Sequence, residues 1–384
     1  GLAWQSVVTA STLTTVAGNG YPINTTSNAC TVTLPSSASA GDQVQIVDYA
    51  GTFNTNNITL TSSLNIEGGA LDKTLTTNRE GVIITYVDVT QGWVATTGIN
   101  SGDQALDPLP PYSVDFLVIA GGGSGGAGSN SGGGGAGGYR TSTQTVSTGT
   151  SITVTVGDGG AGNSSSAVGL NGSASSFSGA GLTTITSAGG GGGALQSSAA
   201  PADDGKTGGS GGGGGAGYGT GGSGDTPATS PSQGNAGGNA TAAPSWGGGG
   251  GGGAGATGGN GGVPGSNGGY GGNGSASSIT GSAVTRAGGG GGGTDTAIGP
   301  GGTGGGGNGG TAAGGNADPG TANTGSGGGA CESGATSGSG GKGVVILSMP
   351  DGNYSGTTTG SPTVATGVSG KTVLTFNGSG SYTS

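Results

Sequence analysis

Over residues 30–86, apolar and polar residues alternate in short bursts. Cys30-Thr31-Val32-Thr33-Leu34, Val44-Gln45-Ile46, Ile58-Thr59-Leu60 and Val82-Ile83-Ile84-Thr85-Tyr86 each put every second side chain on one side of an extended chain. Turn-forming residues separate them: Gly18-Asn19-Gly20, Pro35-Ser36, Gly51, Glu67-Gly68-Gly69, Asn78 and Gly92. Short strands punctuated in this way predict an all-β module, sandwich or barrel-like, over residues 1–100. Its expected core aromatics are Trp4, Tyr21, Tyr49, Phe53, Tyr86 and Trp93. Residues 101–113 then read as a linker, stiffened by Pro108, Pro110 and Pro111.

The pattern changes after an apolar run, Val114-Asp115-Phe116-Leu117-Val118-Ile119-Ala120. From 121 to 343 alternation gives way to glycine, with unbroken runs at 189–193, 211–215, 247–253 and 288–293. One conventional strand stands inside it, Ser151-Ile152-Thr153-Val154-Thr155-Val156, and a second apolar run, Val344-Val345-Ile346-Leu347, closes it. If the two flanking runs pair, the ends of the glycine tract lie side by side and the tract between them forms a body. A further segment, 351–384, reads as a C-terminal β tail around Thr372-Val373-Leu374-Thr375-Phe376.

Glycine restricts what that body can be. An interior glycine costs a helix about 1 kcal/mol relative to alanine, and strands lose their side-chain contacts. The three-residue-per-turn extended helix remains. It has no internal hydrogen bonds, so its N–H and C=O groups must find partners on neighbouring helices. A flexible linker is the competing reading of such a composition. Against it stand the apolar punctuation (Tyr139, Ile152, Phe177, Ile185, Trp246, Ile279) and an internal repeat. Asn171-Gly172-Ser173-Ala174-Ser175-Ser176 returns as Asn273-Gly274-Ser275-Ala276-Ser277-Ser278, each followed by a β-like segment and a glycine run. The expected fold class is an all-β N-terminal module plus a glycine-rich domain, 114–350, of packed polyglycine II helices with flanking β-strands and almost no α-helix.

Composition narrows the function classes. Seven Lys+Arg and a net charge of −10 leave no basic cluster for nucleic acid. Histidine is absent, which removes the commonest general base and metal ligand. The two cysteines, Cys30 and Cys331, are expected to be buried free thiols. No cofactor or metal site is expected. The opening Gly1-Leu2-Ala3-Trp4 shows neither signal peptide nor initiator Met, and predicts a chain that was processed or taken from a longer one.

The order of motifs carries a resemblance. Trp4-Gln5, Gly20-Tyr21, Val32-Thr33-Leu34-Pro35, Ala40-Gly41-Asp42, Val47-Asp48-Tyr49-Ala50-Gly51-Thr52-Phe53, Ile66-Glu67-Gly68 and Gly92-Trp93 resemble a module of bacteriophage tail fibres, particularly cyanophage and other marine phage. Phe116-Leu117-Val118-Ile119-Ala120-Gly121-Gly122-Gly123, Gly137-Gly138-Tyr139-Arg140 and Gly340-Gly341-Lys342-Gly343-Val344-Val345-Ile346 are similar to the glycine-rich adhesin-type domain that ends many phage fibres. In place of the Arg-Tyr that often follows that domain's last strand, this chain has Ser348-Met349. The resemblance implies a homotrimeric receptor-binding fibre protein of the virion, extracellular and assembled in the host cytoplasm. Its partners would be a host glycan or outer-membrane protein, and other tail proteins through an upstream region. A purely structural fibre or filament protein is the alternative.

Candidate chemistry sits where glycine stops. The irregular stretches are 194–207, 226–246, 294–300 and 311–324. Tyr218, Trp246 and Tyr270 offer flat faces for a receptor, with Asp203 and Asp204 as polar partners; packing of the aromatics at the ends of glycine helices is the competing reading. Paired carboxylates could cleave a polysaccharide, and the candidates are Asp203-Asp204, Asp225, Asp295, Asp318 and Glu332. Asp203-Asp204 beside Lys206 reads instead as a solvated turn, so no enzymatic activity is expected.

Overall fold

The computed structural model describes residues 1–97, 107–108, 110–196, 202–242, 244–262, 267–294, 296–310 and 315–384. The expected linker and Asp295 fall largely or wholly outside them. The chain divides into two units, Gly1–Pro111 and Tyr112–Ser384.

In the first unit the chain winds back and forth between two sheets. Ala3–Trp4, Asn19–Ile23 and Gln43–Asp48 pair in parallel in one sheet, and Thr12–Thr14, Cys30–Thr33 and Ile58–Thr61 pair in parallel in the other. These are flattened coils rather than hairpins. The antiparallel pair Gly81–Asp88 and Gly92–Thr97 finishes the first sheet; Lys73–Leu75 extends the second, and Asp107–Pro108, part of the expected linker, finishes it as a two-residue edge strand. Alternation delivers every second residue to the shared core, where Ile23, Val32, Ile46, Ile58, Leu60, Ile84 and Trp93 are sealed from solvent. Trp93 meets Tyr86 edge to face, ring centres 5.6 Å apart. Two expected core aromatics lie outside. Trp4 sits in a two-residue edge strand with both residues exposed, its ring against the backbone of Gly20. Tyr49 is left exposed by the turn that follows Asp48. The buried Asp48 carboxylate accepts hydrogen bonds from the N–H groups of Gly51, Thr52, Phe53 and Arg79, which draws Phe53 rather than Tyr49 inward.

The second unit joins a β-sandwich to a glycine lattice. One sheet runs Tyr139–Val146, Tyr112–Ile119, Val344–Pro350, Lys371–Phe376, Thr363–Val368, antiparallel throughout. The two runs that flank the glycine tract pair at its centre, from Asp115 opposite Ser348 to Ile119 opposite Val344. The other sheet runs Ile185–Ser187, Ser175–Gly179, Ser151–Thr155, Gly380–Thr383, Thr357–Thr359. Between them Val114, Phe116, Val154, Phe177, Leu347, Phe376 and Tyr382 form the core. The segment read as a C-terminal tail therefore supplies strands to both sheets. Asn171–Ser176 and its repeat 273–278 lead into equivalent hairpins, Ser175–Gly179 with Ile185–Ser187 and Ser275–Ser277 with Val284–Arg286.

Hydrogen bonding defines the lattice. Along 133–138, successive N–H groups donate to Gly249, Gly328 and Gly191, and then, three residues on, to Gly252, Gly325 and Ala188, all at 2.8–2.9 Å. Carbonyls of the same segment accept from Ala120 and Gly123, from Ser210 and Gly213, and from Gly290. A partner that recurs every third residue is the mark of a three-residue turn. This one segment thus bonds to three others as donor and to three more as acceptor, which is hexagonal packing of polyglycine II helices. Segments 121–127 and 248–254 show the same period. At the flanks, asparagine amides take over where a neighbouring helix is missing. Asn171, Asn239, Asn260, Asn308 and Asn316 accept backbone N–H bonds from Gly192, Gly221, Asn239, Gly301 and Thr336, each at 2.9 Å.

Candidate recognition site

Each lattice segment runs away from the sandwich or back towards it. The chain must therefore turn over at the end remote from the sheets, and there glycine gives way to larger residues. Turns at 127–132, 216–219, 241–247 and 331–336 meet there. Ala216 donates to Asn130 O at 3.0 Å, Asn130 to Glu332 Oε1 at 2.8 Å, and Gly293 to Ser131 O at 2.8 Å; Ser129 and Ser333 share a hydroxyl bond of 2.9 Å.

Two of the candidate aromatics stand on this end. Tyr218 is 86% exposed, at the tip of a turn in which Gly217 takes φ +128°, a conformation that glycine supplies without strain. Trp246 is 37% exposed. Its loop is closed by pairing of Thr241 with Gly247 and by a short hydrogen bond from the Thr241 hydroxyl to Ser245 O. Tyr270 is elsewhere. It lies on the flank of the lattice, 58% exposed, with its ring across Gly259, where an added Cβ would stand 2.5 Å from the ring.

Asp203 and Asp204 do lie in a turn, as expected, but only Asp204 keeps partial access to solvent. Asp203 is only 7% exposed, and its backbone carbonyl accepts from Gly215. Asp204 is a clamp. Its carboxylate accepts from the Thr220 hydroxyl at 2.7 Å and the Thr220 N–H at 2.8 Å, and these bonds hold its pKa below the usual carboxylate range. That ties down the segment leaving the Tyr218 turn. The other carboxylates are dispersed. Glu332 is buried under the same end. Asp318 accepts from the Asn308 amide at 2.9 Å on a flank. Asp225 lies at the sandwich end. Burial opposes its ionisation, but bonds from Gln233 and Thr229 outweigh this and lower its pKa. Among the described residues no group of three His, Cys, Asp or Glu gathers to hold a metal ion.

The stretch 226–246 is not one loop. Asp225 anchors a compact loop near the sandwich, closed by Gln233, whose amide bonds Ala188 N and Pro227 O at 2.8 and 2.7 Å. Residues 234–240 then return to the lattice, where Gly237 and Gly238 bond Gly222 and Gly250. Of the described residues of 226–246, only 241–242 and 244–246, closed by the pairing of Thr241 with Gly247, stand at the end remote from the sandwich. Likewise 317–321, although poor in glycine, keeps lattice bonding from Ala317 to Thr336 and from Asp318 to Asn308. The asparagine caps went unrecognised in the sequence, though their spacing among glycines was visible there. Both cysteines are buried free thiols.

Residues 96–350 match the family model of a glycine-rich domain. No curated protein is similar to the chain.

Proposed function

Because the chain belongs to the glycine-rich domain family, we propose that it is a surface-recognition protein, the receptor-binding part of a bacteriophage tail fibre. The observation that carries this reading is the pair of exposed rings, Tyr218 and Trp246, held on hydrogen-bonded turns at the lattice end remote from the sandwich. Rigid scaffold and protruding loops divide the labour of recognition. Flat rings beside serine, threonine and asparagine suit a glycan or the loops of an outer-membrane protein. The motif order of both units supports the phage assignment and a homotrimer in the virion. Weak single contacts would add up across copies on one particle. Hydrolysis is not part of the proposal, since the carboxylates are clamps or are dispersed.

The test is adsorption of the purified protein to a panel of cyanobacterial and other marine cells. The Tyr218→Ala/Trp246→Ala double variant should lose at least about tenfold in adsorption, the scale of two contacts each worth about 1 kcal/mol or more. Tyr49→Ala, an exposed ring in the first unit, should adsorb as wild type. Equal adsorption by the double variant would remove this end as the site. A wild-type protein that adsorbs to none of the panel, and blocks infection of none, would favour the structural-fibre reading.

A further inference from the structure

We propose that the outer edge of strand Tyr139–Val146 captures an extended acidic peptide from another protein as an added β-strand. The strand ends its sheet and pairs with Tyr112–Ile119 along all eight residues without a register break. Two hydrogen bonds fix its phase. Ala120 N donates to Gly138 O across the pair, and Tyr139 N donates away from it to Gln233 O. Even-numbered residues therefore bond the neighbouring strand, and Thr141, Thr143 and Thr145 turn N–H and C=O outward. All three are exposed, and none has another backbone hydrogen bond among the described residues. Natural edges are usually blunted by lysine, proline or a bulge. This one has none of these.

The two sides of the edge differ in chemistry. On the inner side a cavity of about 250 Å³ opens at Ser142, with Phe116 and Ile185 among its apolar lining and Pro231 beside them. It is flanked by Gln144 and Arg140. Gln144 is occupied, exchanging two hydrogen bonds with the backbone of Thr183 at 2.8 and 2.9 Å. Arg140 has one long bond, 3.4 Å, to Thr186 O and no ion-pair partner among the described residues. On the outer side a trough of about 450 Å³ is lined by Thr141, Thr143 and Ser348, and its cation, Lys371, is already paired with Asp115 at 2.5 Å.

An antiparallel strand laid on this edge meets these features in a fixed order. The residue opposite Ser142 projects towards the apolar cavity. Two positions on, the residue opposite Arg140 lies on the same side and meets the guanidinium. The residue between faces the hydroxyl-lined trough. The occupant is thus an apolar–polar–acidic triplet in an extended segment, read by backbone pairing and by one carboxylate. A second copy of the chain fits less well. The opposite edge of the sheet, Thr363–Val368, has no charge to offer Arg140, and its pairing is broken between Ala365 and Val368.

The experiment uses the full chain and a fluorescein-labelled Thr-Thr-Val-Thr-Asp-Thr-Thr peptide in fluorescence polarisation. Saturable binding is expected. Replacing the peptide Asp by Lys should weaken it by about tenfold or more, the scale of one charged hydrogen bond. Arg140→Glu should lose the Asp peptide and gain the Lys peptide, a gain that a misfolded variant could not produce. N-methylation of the threonines on either side of Val, whose amides face Thr143 and Thr141, should abolish binding. No saturable binding at millimolar peptide, or binding indifferent to N-methylation or to the charge swap, would overturn the proposal. So would Arg140-dependent self-association of the unliganded chain in sedimentation, which would assign the edge to a second copy.

Discussion

Replacing Gly250 by alanine isolates what glycine does in the lattice. A Cβ at Gly250 would stand 2.0 Å from Tyr270 O and 2.4 Å from Tyr270 C, where 3.4 Å begins ordinary contact. The row 267–274 would have to retreat by about 1.4 Å, the difference between 3.4 and 2.0 Å. Three lattice bonds are stretched beyond useful length by that retreat: Gly259 N to Tyr270 O, Gly269 N to Gly248 O and Gly272 N to Gly251 O, each at 2.8 Å. At about 1 kcal/mol each, with about 1–3 kcal/mol for overpacking, the loss is roughly 4–6 kcal/mol. In a unit of this size that lowers Tm by roughly 10–20 °C. The control is Gly378→Ala, whose added Cβ meets nothing within 4 Å and whose φ is not left-handed. It should change stability by less than about 1 kcal/mol, and upward if at all. Differential scanning calorimetry on both variants decides the matter. Gly250→Ala within about 2 °C of wild type would refute close backbone packing.

Two further outcomes follow from side chains. The Asp204 pKa is held low by Thr220, so its stabilisation is complete above the unfolded carboxyl value of about 3.9 and fades as pH falls through the folded value; Asp204→Asn should therefore be less stable than wild type in urea at neutral pH and converge with it as pH falls towards about 2. Burial pushes the thiols of Cys30 and Cys331 up, so neither should react with a disulfide reagent in the native protein and both should react once it is unfolded.

Some of this was legible in the sequence because local chemistry left one option. Glycine runs admit neither helix nor ordinary strand, and the two apolar runs that bracket them could meet only as a pair; Ile119 does lie opposite Val344. Alternation identified strands such as Ser151–Thr155 and Lys371–Phe376. It could not identify their partners. Nothing local in 372–376 says that it lies beside 344–350 rather than forming a separate tail. Burial within a short strand was also hidden. Trp4 is as apolar as Trp93, yet it lies exposed in a two-residue edge strand while Trp93 is buried. In the lattice, loop and scaffold were misjudged because the sequence marks non-glycine residues and the structure sorts them by position. Residues such as Ala317 and Asp318 can occupy a lattice row at its surface, where there is room for a side chain. Asp204 near a turn became a clamp, while Asp203 beside it was buried. Adjacent residues of a three-residue turn face different neighbours.

That sorting also bears on how such a scaffold can serve recognition. A row in the middle of the lattice is fixed on every side, as 133–138 is, and its residues are confined to glycine and alanine. A turn-over residue such as Tyr218 is fixed only by the ends of two rows. Lengthening a turn costs little, since loop-closure entropy grows only with the logarithm of length, about 0.6 kcal/mol per doubling. Stability and specificity are therefore carried by different residues of the same segment. The asparagine caps sharpen the separation. Asn239 and Asn308 satisfy flank N–H groups that would otherwise invite another polyglycine row, much as charged residues blunt a sheet edge. The lattice is closed against growth along those capped rows and open to variation at its end. The edge at Thr141, Thr143 and Thr145 has no such cap, and it is there rather than on the glycine flanks that the proposed peptide would pair.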